Sequence, residues 1–475
     1  MRVVSFHPAT RFEQKAANKP IGVWVVAFIL SLHAAFLTGC AFQDHRFTVS
    51  SLVKNGNYKQ AITELDRARR EGLYDDNNIL LYDLDRGTLA LIENDTDTAF
   101  DRFEDAETTI ERNFTRSLSN DLASYLLNDQ ILPYSGEPYE DQYVNVFKLL
   151  IQLKRGRIVN GATVEARRLI DKVDLQYERY VTIKQKLLDD PDLQETMQQY
   201  SGAELVETED EGRFLESTLG TYLSIITWTL ADEPDFQHTA IQRLLSAIRM
   251  QKQFMPGVEA ENFTSLTKRF GHQPLSLLVV AFTGHGPSKR AETLRLGLVG
   301  KYALKVEWPA LVLHPSRVRS VRVRIDGNAP VTLPMVENMA GVAAETYRRE
   351  LPLIRAKAIG RAVFKSIARY AVIESAEEYR EHRREEGKKN AGDDLLLFAA
   401  NVLGIFITET EQADLRHWAS LPGQAYASVF TLEPGEHTVT TEFLDRQGRV
   451  MGRPKSRKVT ISGGEMQVVD VYKLR

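Results

Sequence analysis

The chain has 475 residues, 60 Lys and Arg against 64 Asp and Glu, a formal net charge of -4 and one cysteine. Charges of both signs in near balance exclude a dedicated nucleic-acid binder, which needs a basic surface. A lone cysteine excludes a fold built on disulfides, so apolar burial must hold the two or three cores that this length allows.

The first 20 residues carry Arg2, Arg11, Lys15 and Lys19 against one acid, Glu13, and an apolar run follows from Ile21 to Leu37. A basic region, an apolar region and then small residues is the layout of a secretory signal over residues 1–39. A transmembrane helix is the rival reading, because this run of 17 residues reaches the lower limit for a span. His33 weakens it, since an ionisable group in hydrocarbon is costly.

Leu37-Thr38-Gly39-Cys40 resembles the lipobox of bacterial lipoproteins. The resemblance implies a diacylglycerol on the Cys40 sulfur, cleavage before that residue and acylation of the new amino terminus. Several acyl chains at about 0.8 kcal/mol per CH₂ anchor a protein firmly. Ala41, rather than an aspartate, resembles the sorting pattern for the Gram-negative outer membrane. Residues 40–47 then form a tether that keeps the chain within about 25 Å of the lipid, facing the periplasm.

Residues 48–270 read as helices, with apolar positions three and four apart. Tyr58, Ala61, Leu65 and Ala68 share one helix face, and Ala99, Phe103 and Ala106 repeat the pattern 38 residues later, counted from Ala61 to Ala99. Leu84, Gly87 and Ala90 supply small contact points ahead of that second copy, and 164–173 and 236–248 are weaker copies. This resembles a TPR array with its period of about 34 residues, which implies stacked helix pairs and a concave face for a partner protein.

The stretch Leu132–Leu150 interrupts the array with two prolines and a glycine. It clusters Tyr134, Tyr139 and Tyr143 around Glu137. Glu137 is expected to accept a bidentate bond from Arg167 or Arg168 on a following helix and so to pin the loop to the array, a structural role, with Tyr134, Glu137, Tyr139, Arg167 and Arg168 as the candidate partner or ligand loop. Glu137 as a general acid in a sugar cleft would need a second, opposed carboxylate, and the sequence does not nominate one.

From residue 271 strand patterns take over, in PLSLLVVAFTGHG, YALKVEWPALVL and SVRVRIDG, and again in AYASVFTL, GEHTVTTEFLD, RKVTIS and MQVVDVYKL. A helical insertion is expected at about 335–421. The expected fold class is α+β and multidomain: a TPR-like helical array, then a β-sandwich-like domain over 271–475 drawing strands from both sides of the insertion.

Within TGHGP, flanking glycines are expected to expose His285 at a strand end, where it serves as a general base or metal ligand or, on the plainer reading, as a turn residue without chemistry; His272 and His314 have no sequence-local link to it. Lys357, Arg361, Lys365 and Arg369 fall four apart as a stripe for an anionic surface, with a solvated or ion-paired face as the plainer alternative. The apolar stretch 395–408 is too short to cross a bilayer and is expected to be buried. Asp414, Arg416 and Trp418 are assigned to structure, with Arg416 clasping a carboxylate.

The fragments LPYSGEPYEDQ, ATVEARR, TGHGPSKR, DLRHWASLP and LEPGEHTV resemble a family of uncharacterised Gram-negative envelope lipoproteins with TPR-like amino-terminal halves and β-rich carboxyl-terminal domains. That resemblance carries no established activity, cofactor or metal. The expected function is a non-catalytic scaffold or adaptor on the outer membrane, meeting the membrane through its lipid and an envelope protein through its surface. The alternative is a protein that binds or hydrolyses cell-wall polymer, using Glu137 or His285.

Overall fold

The computed structural model describes residues 42–119, 132–188, 191, 216–258, 275–299, 302–385, 397 and 412–474. Cys40 with its lipobox residues Leu37, Thr38 and Gly39, His272, and all but residue 397 of the apolar stretch 395–408 lie outside them.

Helices α1 (Tyr58–Arg70), α2 (Ile79–Ile92), α3 (Thr96–Ser119), α4 (Pro138–Lys154), α5 (Thr163–Leu188), α6 (Thr218–Leu230) and α7 (Pro234–Met250) precede the strands. Neighbours in sequence pack on one another: α2 on α3, α4 on α5 and α6 on α7. The apolar periodicity decides which face turns inward. Ala61, Leu65, Ala68, Ala99, Phe103 and Ala106 are all fully buried. Gly87 explains how closely α2 meets α3, because a Cβ there would lie 2.9 Å from the Phe103 ring.

Ten strands follow in chain order, numbered among the described residues. They are β1 (Leu277–His285), β2 (Ser288–Val299), β3 (Tyr302–Val312), β4 (Ser320–Ile325), β5 (Val331–Leu333), β6 (Met335–Asn338), β7 (Pro422–Phe430), β8 (Gly435–Leu444), β9 (Lys455–Ile461) and β10 (Gln467–Lys473). Helix α8 (Met339–Glu385) separates β6 from β7. The chain is α+β, with sheets ordered β10-β1-β7-β6, β2-β3 and β5-β4-β8-β9.

Within the first sheet β1 pairs in parallel with β10, Leu277 opposite Gln467, and antiparallel with β7, Val280 opposite Ala427. Alternate residues of β1, Leu277, Val279 and Ala281, share a core with Val321 and Val323 of β4 and with Phe443 of β8. The intervening Leu278, Val280 and Phe282 are equally buried on the other face. There Phe282 packs against Phe147 of α4, with ring centroids 5.6 Å apart. Burial on both faces is why β1 reads as a continuous apolar run.

The insertion begins later than expected: residues 335–338 pair with β7 as an edge strand, and the helix starts at Met339. Helix α8 packs Leu353, Ala356, Ile359 and Val363 against Val306 and Trp308 of β3. His45–Arg475 form one compact unit. Buried contacts cross the boundary expected near residue 270, among them Phe147 with Phe282 and Lys154 of α4 with Asp470 of β10.

Segment 412–421 joins the layers most thoroughly. The Trp418 indole donates to Thr88 Oγ1 at 3.0 Å, and its ring packs on Phe103 and Phe147. Ser420 donates to Asp85 through both its backbone N–H (2.8 Å) and its hydroxyl (2.7 Å). Arg416 clasps Asp414 and donates to the carbonyls of Asn77 and Leu132, each at 3.1 Å. The clasped carboxylate is therefore its own near neighbour in sequence.

Candidate functional site

Beneath the loop 132–138 lies a cavity of about 350 Å³, walled by α3, α5, α8, the β2–β3 hairpin and the segment that carries Arg416. Proline at the first turn of α4 and the extended backbone of Glu137 place the loop over the helix start. Glu140 ties it down from below. Its carboxyl accepts from Tyr134 Oη (2.7 Å), from the Glu137 N–H (3.1 Å) and from the Trp418 N–H (2.6 Å). Burial, and then the nearby Glu137 charge, lift the Glu140 pKa to about 7.

Glu137 does not pair with Arg167 or Arg168. Its partner is Lys289 of β2. Burial alone would lower the Lys289 pKa, but the carboxylates of Glu137 and Asp414 more than reverse that and raise it. Arg168 instead bonds Glu107 (3.1 Å) and Glu165 (3.4 Å), while Arg167 lies over the stacked rings of Trp228 and Phe236. Sequence proximity of a loop and a helix did not determine which cation the fold would bring to the loop.

Tyr134 and Tyr139 both line the cavity. The Tyr134 ring lies under the guanidinium of Arg416 at 5.2 Å and the ammonium of Lys289 at 5.7 Å. The Tyr139 hydroxyl is buried and has no hydrogen-bond partner among the described residues. Burial, followed by the Glu140, Glu137 and Glu350 charges, raises its pKa.

Glu350 of α8 is the group that sequence reasoning missed. It lines the same cavity, where no described residue hydrogen-bonds its carboxyl. Burial and then Glu137 raise its pKa to about 8, against the opposing pull of Lys357 and Lys289. Glu137 and Glu350 thus lie close enough to influence each other although 213 residues apart, counted as 350 minus 137. No local pattern announces such a pairing.

The basic stripe is not one exposed face. Arg361 is 2% exposed and lines the cavity with Lys357, whereas Lys365 and Arg369 lie outside that lining. Helix α8 packs the β3 hairpin on one side and the cavity on another, which takes Arg361 out of solvent.

His285 ends β1 opposite Pro422, away from the cavity lining. The expected exposure does not occur: both ring nitrogens are buried without hydrogen-bond partners among the described residues. Gly284, at φ +65°, lets the turn press against Ser316, where a Cβ would come within 2.9 Å, so the turn is covered. Burial, then Lys54 and His314, lower the His285 pKa to about 4. His314 does lie near enough to act on His285, and its own ring bonds Ser288 at 2.8 Å.

Among the described residues no group of three or more His, Cys, Asp and Glu could hold a metal ion, and no helix is long and apolar enough to cross a membrane. No family model, curated protein or solved structure matches the chain.

Proposed function

We propose that the chain is a lipid-anchored lipoprotein of the outer membrane, facing the periplasm and acting as a non-catalytic scaffold or adaptor in envelope assembly. The Leu37–Cys40 lipobox pattern and the resemblance to an envelope lipoprotein family support the address. A TPR-like reading of the helical layer and a sandwich-like reading of the two four-stranded sheets belong to the same proposal. The observation that favours an adaptor is the engagement of three carboxylates around the cavity. Glu137 is held by Lys289 and Asp141 by Lys172, so these two join separate elements, while Asp414 is held by Arg416 of its own segment.

Photo-crosslinkers at Val159 and Leu175, exposed apolar positions of the helical layer, test this in intact envelopes. A defined protein adduct that disappears with Cys40→Ser is expected. Absence of any protein adduct from both positions would contradict the adaptor role.

One observation favours a second reading, a protein that binds or cleaves wall polymer. Glu350, largely protonated at neutral pH, lines the same cavity as Glu137, so two carboxyls share one site, as acid–base glycoside cleavage requires. His285 has no place in that arrangement. Incubating the detergent-solubilised chain with peptidoglycan decides the catalytic version. Fragment release that is lost in both Glu137→Gln and Glu350→Gln would establish it, and intact polymer would dismiss it.

A further inference from the structure

The cavity contains more than the ion pairs that join its walls. Its volume of about 350 Å³ falls in the small-molecule range. Side chains of both charges line it, including Glu137, Asp414, Lys289 and Arg416. A purely apolar ligand would strand those groups without water. A ligand with a single net charge would meet attraction and repulsion together.

Two walls are aromatic and held in fixed orientation. Tyr180 Oη donates to the Arg349 carbonyl at 3.3 Å, and Tyr347 Oη donates to the Pro309 carbonyl at 3.0 Å. Hydroxyls tied to backbone leave the ring faces as preset apolar surface. Beside them stand two polar groups that the described residues do not satisfy, the carboxyl of Glu350 and the hydroxyl of Tyr139. Buried polar groups are ordinarily satisfied, so the Tyr139 hydroxyl marks where a partner is missing, and the half-buried Glu350 carboxyl lines the same cavity.

A sugar matches each feature. Every hydroxyl both donates and accepts, so it can use carboxylates and cations alike, and the C–H faces of a pyranose pack against tyrosine rings. We propose that this cavity binds one or two rings of a carbohydrate chain, with Glu350 as its hydrogen-bonding anchor and Tyr180 and Tyr347 as its walls. The proposal deepens the wall-polymer reading and rests on it. It does not depend on catalysis.

The charged and titratable groups that act on Glu350 are Glu137 from the loop, Lys289 from β2 and Lys357 from α8, with the Tyr139 hydroxyl nearby on α4. Its carboxyl keeps its proton up to about pH 8 and can therefore donate to a sugar oxygen below that value.

Isothermal titration of the detergent-solubilised chain with the N-acetylglucosamine trimer tests the site, alongside sedimentation with insoluble wall material. The trimer should bind, with affinity falling as pH rises through about 8. Glu350→Ala should weaken binding at least about tenfold, the loss of one to two hydrogen bonds to a half-buried carboxyl. Glu350→Gln, which can still donate and accept, should bind at pH 7 and lose the decline at alkaline pH. Equal binding by wild type and Glu350→Ala, or no binding at millimolar trimer, would overturn the proposal. If the chain sediments with wall material yet ignores the trimer, the cavity inference falls while wall binding stands.

Discussion

Lys289 is the cation on which the loop depends. It is almost fully buried between Glu137 and Asp414, and removing it leaves a carboxylate in a low-dielectric wall with no counter-charge. Lys289→Met is expected to destabilise the fold by roughly 3–5 kcal/mol, read as a shift in the urea midpoint. Arg168→Ala should cost far less, because that guanidinium is 42% exposed. Glu350 gives a pH signature. Its folded pKa of about 8 lies above the usual glutamate value, so the native state binds the extra proton. Its contribution is complete below about pH 4 and is lost as pH climbs through 8. Between pH 6 and pH 9 the wild type should therefore lose more stability than Glu350→Gln, and parallel curves for the two proteins would refute this. Composition made the tyrosine and glutamate cluster of the loop conspicuous, and Tyr134, Glu137 and Tyr139 do meet at the cavity. Lys289 and Glu350 were not legible there, because tertiary packing brings them to Glu137 from distant elements.

At the scale of elements, the small-residue pattern of the helical layer has a mechanical consequence. Gly87 admits the Phe103 ring, and Gly87→Ala forces a methyl into a contact of 2.9 Å. A loss of about 1–3 kcal/mol in thermal or urea unfolding is expected, despite the better helix propensity of alanine. Glycine and alanine spacing disclosed this face directly. The strands were legible in proportion to their apolar pattern. The strictly alternating SVRVRI becomes β4 and the apolar LLVVAF lies in β1, whereas the charge-rich SKRAETLRLGLV of β2 gave no clear alternation. The short β6 was absorbed into the expected helix, because four residues on a sheet edge carry too little periodicity to reveal a strand.

For the whole molecule, the change from helical to strand pattern near residue 270 marks a change of layer inside one compact unit. Trp418 is the clearest reason: one buried indole bonds α2 and packs on α3 and α4 while its neighbours lead into β7. The full chain should unfold in one cooperative transition by tryptophan fluorescence and far-ultraviolet dichroism. Two separated transitions would mean that the layers fold independently. Trp418→Ala should cost about 3–5 kcal/mol and lower that single transition. The proposed function depends on where this unit is held. The amino-terminal peptide of the chain isolated from envelopes should have, by intact mass, Cys40 as its first residue with a diacylglyceryl thioether and an acylated amine. An unmodified thiol at Cys40 in the mature chain would contradict the account.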